Sequence, residues 1–124
     1  MRDKSSILIV DDDRDLADLV ERILTEGGYQ VTKAYDGNSA LVFLEDHEPD
    51  LVILDIILPD LDGFELLKRI RGLYDIPVIM FTIRTDISSL RKAIEGGADD
   101  YIKKPFRRSE LLTLVKAKLA RSEQ

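Results

Sequence analysis

The sequence predicts an α/β fold: a doubly wound sheet of five parallel strands with helices on both faces. Three observations predict it. Short apolar runs alternate with amphipathic stretches five times along the 124 residues. Runs such as Ile7-Leu8-Ile9-Val10 and Leu51-Val52-Ile53-Leu54 are apolar at every position, the pattern of strands buried on both faces of a parallel sheet. Both runs end abruptly in acid, at Asp11 and Asp55. Right-handed crossovers between such strands wind helices over both sides of the sheet.

The elements follow in order. Ile7–Val10 is the first strand. Leu16, Leu19, Val20, Ile23 and Leu24 recur at helical spacing, and Gly27-Gly28 stops that helix. Tyr29–Ala34 alternates apolar and polar residues, as an edge strand does. Asp36-Gly37 turns the chain into a second helix through Leu41 and Leu44. Leu51–Leu54 is the third strand, and Pro59–Gly63 is a loop by composition. Phe64–Arg71 reads as a helix stopped by Gly72, and Pro77–Phe81 as the fourth strand. Ile87, Leu90 and Ile94 form a helical apolar stripe closed by Gly96-Gly97. Asp99–Ile102 is a short fifth strand, and the last helix carries Leu112, Val115 and Leu119 on one side.

Bulk properties narrow the function. Residues 1–124 suit one domain with a hydrophobic core of its own. Hydrophobic residues make up 44% and charged residues 34%, ordinary globular proportions. The absence of cysteine removes disulfides, thiolate metal sites and cysteine nucleophiles. The single histidine, His47, precludes a multi-histidine metal site. A net charge of −6 argues against direct nucleic-acid binding by this domain. No apolar run approaches the about 20 residues that span a bilayer, and the polar start Met1–Ser6 lacks a signal-peptide apolar region. A cytoplasmic location is expected, with no membrane partner.

In doubly wound sheets, ligands sit outside the carboxyl ends of the strands. Asp11, Asp12 and Asp13 follow the first strand, Asp55 the third, Thr82 the fourth, and Lys104-Pro105 the fifth. Only the second strand contributes nothing obvious. Carboxylates crowded together raise one another's pKa, and a divalent cation relieves this. Mg2+ favours hard oxygen ligands and commonly takes one or two carboxylates plus a phosphate. Asp12 and Asp55 can ligate directly, Asp11 through water, and the Ile57 backbone carbonyl can supply a further oxygen. An aspartate can itself accept a phosphoryl group as an acyl phosphate, with Lys104 and the Thr82 hydroxyl on the transferred oxygens. Each residue has a blander role when taken singly. Asp13 reads as the cap of the first helix, Thr82 as a β-branched strand residue, Lys104 as a surface charge. Their joint placement at the expected strand ends favours a phosphoacceptor site at Asp55.

The stretches Ile7–Asp13 (ILIVDDD), Pro49–Gly63 (PDLVILDIILPDLDG), Pro77–Thr82 (PVIMFT) and Gly97–Phe106 (GADDYIKKPF) resemble a response regulator receiver domain of two-component signalling. The similarity covers essentially the whole chain. The resemblance implies a flavodoxin-like sheet of order 2-1-3-4-5. It implies phosphorylation of Asp55 by a sensor histidine kinase, with magnesium bound by Asp11, Asp12 and Asp55. It assigns Lys104 to the phosphoryl group, with a cis bond to Pro105, and leaves Lys103 as a solvated charge. Thr82 and Tyr101 match the family's switch pair, and the surface from Asp86 to Ala120 its output face toward an output domain or partner. The protein is thus expected to be a phosphoacceptor switch that assists its own phosphorylation and dephosphorylation, and not an enzyme in the turnover sense.

Arg91, Lys92, Glu95, Asp99, Asp100, Glu110 and Arg121 put both charge signs on that face, as in receivers that form homodimers; Leu114 replaces a residue usually basic there. Ile83 stands where receivers usually carry a small residue, and would narrow access to Asp55. Ile57 and Arg84 occupy positions that tune acyl-phosphate lifetime. The end at Gln124 suits a stand-alone receiver or one excised from a longer regulator.

Three other readings compete. A phosphatase of the haloacid dehalogenase class needs a second acid two residues after the nucleophile, where this chain has Ile57. A flavodoxin-like nucleotide or flavin binder needs a phosphate-cradling loop after the first strand, where Asp11–Asp13 would repel it. A receiver-like domain working without phosphorylation would not need the complete Asp, Thr and Lys set.

Overall fold

The computed structural model describes residues 4–122, with side chains as far as Ala120. The first three residues of the polar start, and the side chain of Arg121 named above for the dimer face, lie outside the described residues. Ten elements alternate: β1 (Ser6–Val10), α1 (Arg14–Glu26), β2 (Gln30–Ala34), α2 (Gly37–Asp46), β3 (Leu51–Leu54), α3 (Gly63–Leu73), β4 (Val78–Thr82), α4 (Ile87–Glu95), β5 (Asp100–Lys103) and α5 (Arg108–Ser122). The strands form one parallel sheet in the order β2-β1-β3-β4-β5. This is the fold class expected, with β2 at an edge.

The period-two geometry of a strand splits the core in two. Leu8, Val10, Val52, Leu54, Val78 and Met80 face one way, where they meet Ala40 and Leu44 of α2, Leu66, Leu67 and Ile70 of α3, and Ala93 of α4. Ile7, Ile9, Leu51, Ile53, Ile79 and Phe81 face the other way, against Val20, Ile23 and Leu24 of α1 and Leu111, Val115 and Leu119 of α5. Each such side chain contributes about 1.5–3 kcal/mol on burial. Both faces of the central strands are therefore dry, and only their ends reach solvent.

Helix starts are set by aspartates. Asp13 accepts from Leu16 N, Asp36 from Ser39 N, Asp62 from Phe64 N and Asp86 from Ser89 N. Each satisfies an amide that the first turn leaves without a partner. The capping role expected of Asp13 is observed.

Four local expectations change. Gly72 does not end α3, which runs through it to Leu73; no atom crowds its Cα, so the helix passes at only propensity cost. Two of the three stripe residues on α4 face outward, Ile87 and Ile94 being 75% and 74% exposed, while Leu90 is half-buried. The buried side of α4 is Ser89 and Ala93, small residues that admit the helix close to the core. On α5 the buried positions are Leu111, Val115 and Leu119, with Leu112 only half-buried. β5 starts at Asp100; Asp99 before it donates its amide to Val78 O at 2.8 Å and accepts on its side chain from Val78 N and Arg71.

Candidate functional site

Hydrogen bonding between neighbouring chains continues one residue past the strands, and this fixes the site. Val10 pairs with Ala34 on one side and Leu54 on the other. Asp11 N then donates to Ala34 O at 3.1 Å, and Asp55 N to Val10 O at 3.0 Å. The two aspartates thus leave adjacent strands at one level. Lys104 N donates to Thr82 O at 2.9 Å, which ties the fifth strand's end to the fourth's. The second strand gives no side chain, but its last carbonyl sets the Asp11 backbone.

Lys104 crosses this edge. Its ammonium lies 2.6 Å from Asp11 Oδ2 and 3.1 Å from Asp55 Oδ2. Its stem passes the Phe81 ring, with the nitrogen 5.0 Å from the ring centre. Asp11 and Asp55 are 1% and 6% exposed, whereas Asp12 is open to solvent. Burial pushes the Asp11 carboxyl up, and the hydrogen bond from Lys104 opposes this without cancelling it. Burial pulls the Lys104 ammonium down, but the hydrogen bond to Asp11 and the Asp55 charge outweigh it and hold the amine above its ordinary value. The second Asp11 oxygen accepts from Asp13 N at 3.0 Å.

One carboxylate oxygen each from Asp11, Asp12 and Asp55 lie within 4.8 Å of one another. Two buried hard-oxygen donors and one exposed donor suit a cation that keeps several waters, as Mg2+ does. Ile57 stands beside this group: its amide donates to Asp55 Oδ1 at 3.2 Å, and its side chain is 47% exposed. Thr82 is fully buried at the end of β4, its hydroxyl oxygen accepting from Arg84 N at 3.2 Å. Tyr101 is partly buried and packs against the face that holds Met80 and Ala93. Its hydroxyl oxygen is buried without a hydrogen-bond partner among the described residues. Burial, and next the Asp86 charge, push its phenol up. Lys103 is exposed, and the Lys104–Pro105 bond is cis.

The structure also shows a feature that sequence patterning missed. Leu16, Leu19 and Ile23 of α1, with Ile83, Pro105 and Phe106, line an open apolar groove of about 640 Å³ beside the acids. Asp13, Lys104 and Arg108 complete its wall. Leu19 and Ile83 are 42% and 65% exposed. The available signal was Leu19, which extends the apolar arc of α1 beyond what its core contact needs.

Comparison with known proteins agrees with this geometry. The family model described as the response regulator receiver domain matches residues 7–116. A CheY-like receiver domain protein from Methanospirillum hungatei JF-1 is 36% identical, with a TM-score of 0.94 and 97% of each chain covered. A BeF3-activated DrrB receiver domain is 34% identical, with a TM-score of 0.89 over 95% of this chain and 99% of that one. NtrX from Brucella abortus, solved in complex with ADP, is 38% identical with a TM-score of 0.91. The match covers 97% of this chain but 28% of NtrX. No helix among the described residues is long and apolar enough to cross a membrane.

Proposed function

The chain belongs to the response regulator receiver family of two-component signalling, and on that premise we propose that it is a switch charged at Asp55 by a sensor histidine kinase. The observation that carries this reading is the Lys104 ammonium bridging Asp11 and Asp55 at the sheet's carboxyl edge, with Asp12 alongside. A carboxylate oxygen of Asp55 attacks the phosphorus of a phosphohistidine. The phosphorus–nitrogen bond breaks as the phosphorus–oxygen bond forms, and the imidazole leaves with the bonding pair. Such transfers depend on positioning and charge neutralisation. Lys104, already held between the two acids, binds an oxygen of the transferred group. Thr82 swings its hydroxyl to another, giving up the Arg84 amide, and Tyr101, whose hydroxyl is already buried, packs into the space that Thr82 leaves.

Asp11, Asp12 and Asp55, with the Ile57 carbonyl, would hold Mg2+. Bound there, the ion supplies positive charge that offsets repulsion between the carboxylates and the incoming phosphate. With Asp55 as acceptor and Lys104 and Thr82 placed to bind the transferred oxygens, the protein acts as a self-assisting phosphoacceptor rather than a turnover enzyme. The surface from Asp86 to Ala120, with Ile87 and Ile94 exposed, supports an output contact or a phosphorylation-dependent homodimer; a BeF3 adduct that sediments as monomer rejects the dimer. The cytoplasm is the expected compartment.

Mass spectrometry after incubation with acetyl phosphate and Mg2+ tests the central claim. Wild type gains one phosphoryl group and Asp55→Asn gains none. Equal modification of both proteins sinks Asp55 as acceptor.

A further inference from the structure

The loop between Asp55 and Gly63 is held to α2 by one of its own residues, which takes no part in the chemistry. Asp60 places both carboxylate oxygens on the first turn of α2: Oδ1 accepts from Gly37 N at 2.8 Å and Oδ2 from Asn38 N at 2.9 Å. Asp36 accepts from Ser39 N at 2.7 Å, and Ala40 N reaches Asp36 O at 3.3 Å. All four amides that begin α2 are therefore satisfied, two of them by a loop residue 23 and 22 positions further along the chain. The next residue seats against the same turn. A Cβ on Gly37 would lie 2.8 Å from Leu61 Cβ, so only glycine lets the loop come this close.

The other end of the loop is equally constrained. Gly63 N donates to Ile56 O at 2.9 Å, and a Cβ on Gly63 would lie 2.4 Å from Asp55 O. The segment is thus closed on itself at Ile56 and Gly63, with Asp60 its attachment to the neighbouring helix. Ile57 lies within this ring and Asp55 immediately before it, and both are proposed to face the cation. Their mutual geometry is carried by one 3.2 Å hydrogen bond from Ile57 N to Asp55 Oδ1.

We propose that Asp60 is a positioning residue for the cation site: its two-pronged grip on α2 holds the Asp55–Gly63 loop in the shape that lets Asp55 and Ile57 face the metal together. This rests on the magnesium reading above. It adds a mechanical link between the acid cluster and α2, a helix that supplies no residue to the site. Coupling of this kind is reciprocal. Occupancy of the cation site tightens the Gly37 and Asn38 amides, and release of the Asp60 grip loosens the cation.

Calorimetric titration with Mg2+ alone, without phosphodonor, tests this. Asp60→Ala is expected to raise the magnesium dissociation constant on the order of tenfold, the lower end of the effect of losing support behind metal ligands. Asp60→Asn, which keeps one acceptor oxygen, falls between it and wild type. Asp36→Ala weakens the start of α2 without touching the loop, and is expected to lower thermal stability while leaving magnesium affinity as in wild type. Hydrogen exchange gives a second readout: Mg2+ slows exchange at Gly37 and Asn38 in wild type and not in Asp60→Ala. Unchanged affinity in Asp60→Ala overturns the inference while sparing the magnesium reading. So does an equal loss in Asp36→Ala, which would reduce Asp60 to a helix stabiliser. A wild-type protein that binds no Mg2+ overturns both.

Discussion

Lys104 Nζ lies 2.6 Å from Asp11 Oδ2 and 3.1 Å from Asp55 Oδ2, so one ammonium serves two carboxylates on neighbouring strands. The three side chains are 13%, 1% and 8% exposed. Removing the cation leaves two buried negative charges facing each other. Lys104→Met is expected to lose about 3 kcal/mol of stability at neutral pH without metal, the scale for breaking a buried pair. Saturating Mg2+ should return much of it, because the ion replaces the lost positive charge. Urea denaturation with and without Mg2+ measures both; a variant as stable as wild type without metal argues against the bridge.

Asp11 itself pulls the other way. Its carboxyl is pushed up by burial, and the Lys104 hydrogen bond only partly offsets this. For a carboxyl raised on folding, stability is full below the unfolded value of 3.8 and is lost as pH rises through the folded value. At neutral pH the ionised Asp11 therefore costs stability. Asp11→Asn is expected to be more stable than wild type at neutral pH without metal. The gain should vanish below the ordinary carboxylate range, where Asp11 is protonated in both states. Thermal melts across pH give the curve, and a gain independent of pH contradicts this origin.

Ile57 bears on how long the switch stays charged. Its side chain is 47% exposed beside Asp55, and it offers no hydrogen-bonding group to a water. Ile57→Asn supplies an amide there and is expected to hydrolyse the acyl phosphate several-fold faster, a modest part of the range for assisted proton transfer. Decay of the phosphorylated species by mass spectrometry compares the two, and equal rates refute the role.

Much of this site was legible because parallel strands advertise their ends. A strand buried on both faces must be apolar throughout, so Leu51–Leu54 followed by Asp55 marks where the chain leaves the core. Asp11, Thr82 and Lys104 were found the same way, and hydrogen bonds past the strand ends hold them. What failed was choosing faces on helices packed by small residues. Ile87 and Ile94 repeat at helical spacing as Ser89 and Ala93 do, and hydrophobicity alone selected the exposed pair. Leu19 extends the apolar arc of α1, but that it meets Ile83 across a groove depends on where Phe106 lands. Asp60 was hidden in a loop that composition described only as a loop. Its partners are amides, which have no letter in a sequence.

Tyr101 offers a test of the switch itself. Its hydroxyl oxygen is buried without a partner among the described residues, an arrangement that costs about 1–3 kcal/mol for a buried polar group. Burial and the Asp86 charge push its phenol above the ordinary 10.0. The sign follows directly: the neutral phenol is favoured on folding, and stability falls as pH rises past 10.0 through the folded value. Tyr101→Phe removes the orphaned group while keeping the ring. It is expected to gain about 1 kcal/mol of stability and to lose the alkaline part of the pH dependence. If an inward ring is the charged state's arrangement, the same change favours that state. Tyr101→Phe should then bind BeF3 more tightly than wild type, by up to the roughly fivefold that 1 kcal/mol represents. Titration of the adduct with each protein decides it: a stability gain without tighter binding separates the buried hydroxyl from the switch, and no gain at all means that the hydroxyl has found water.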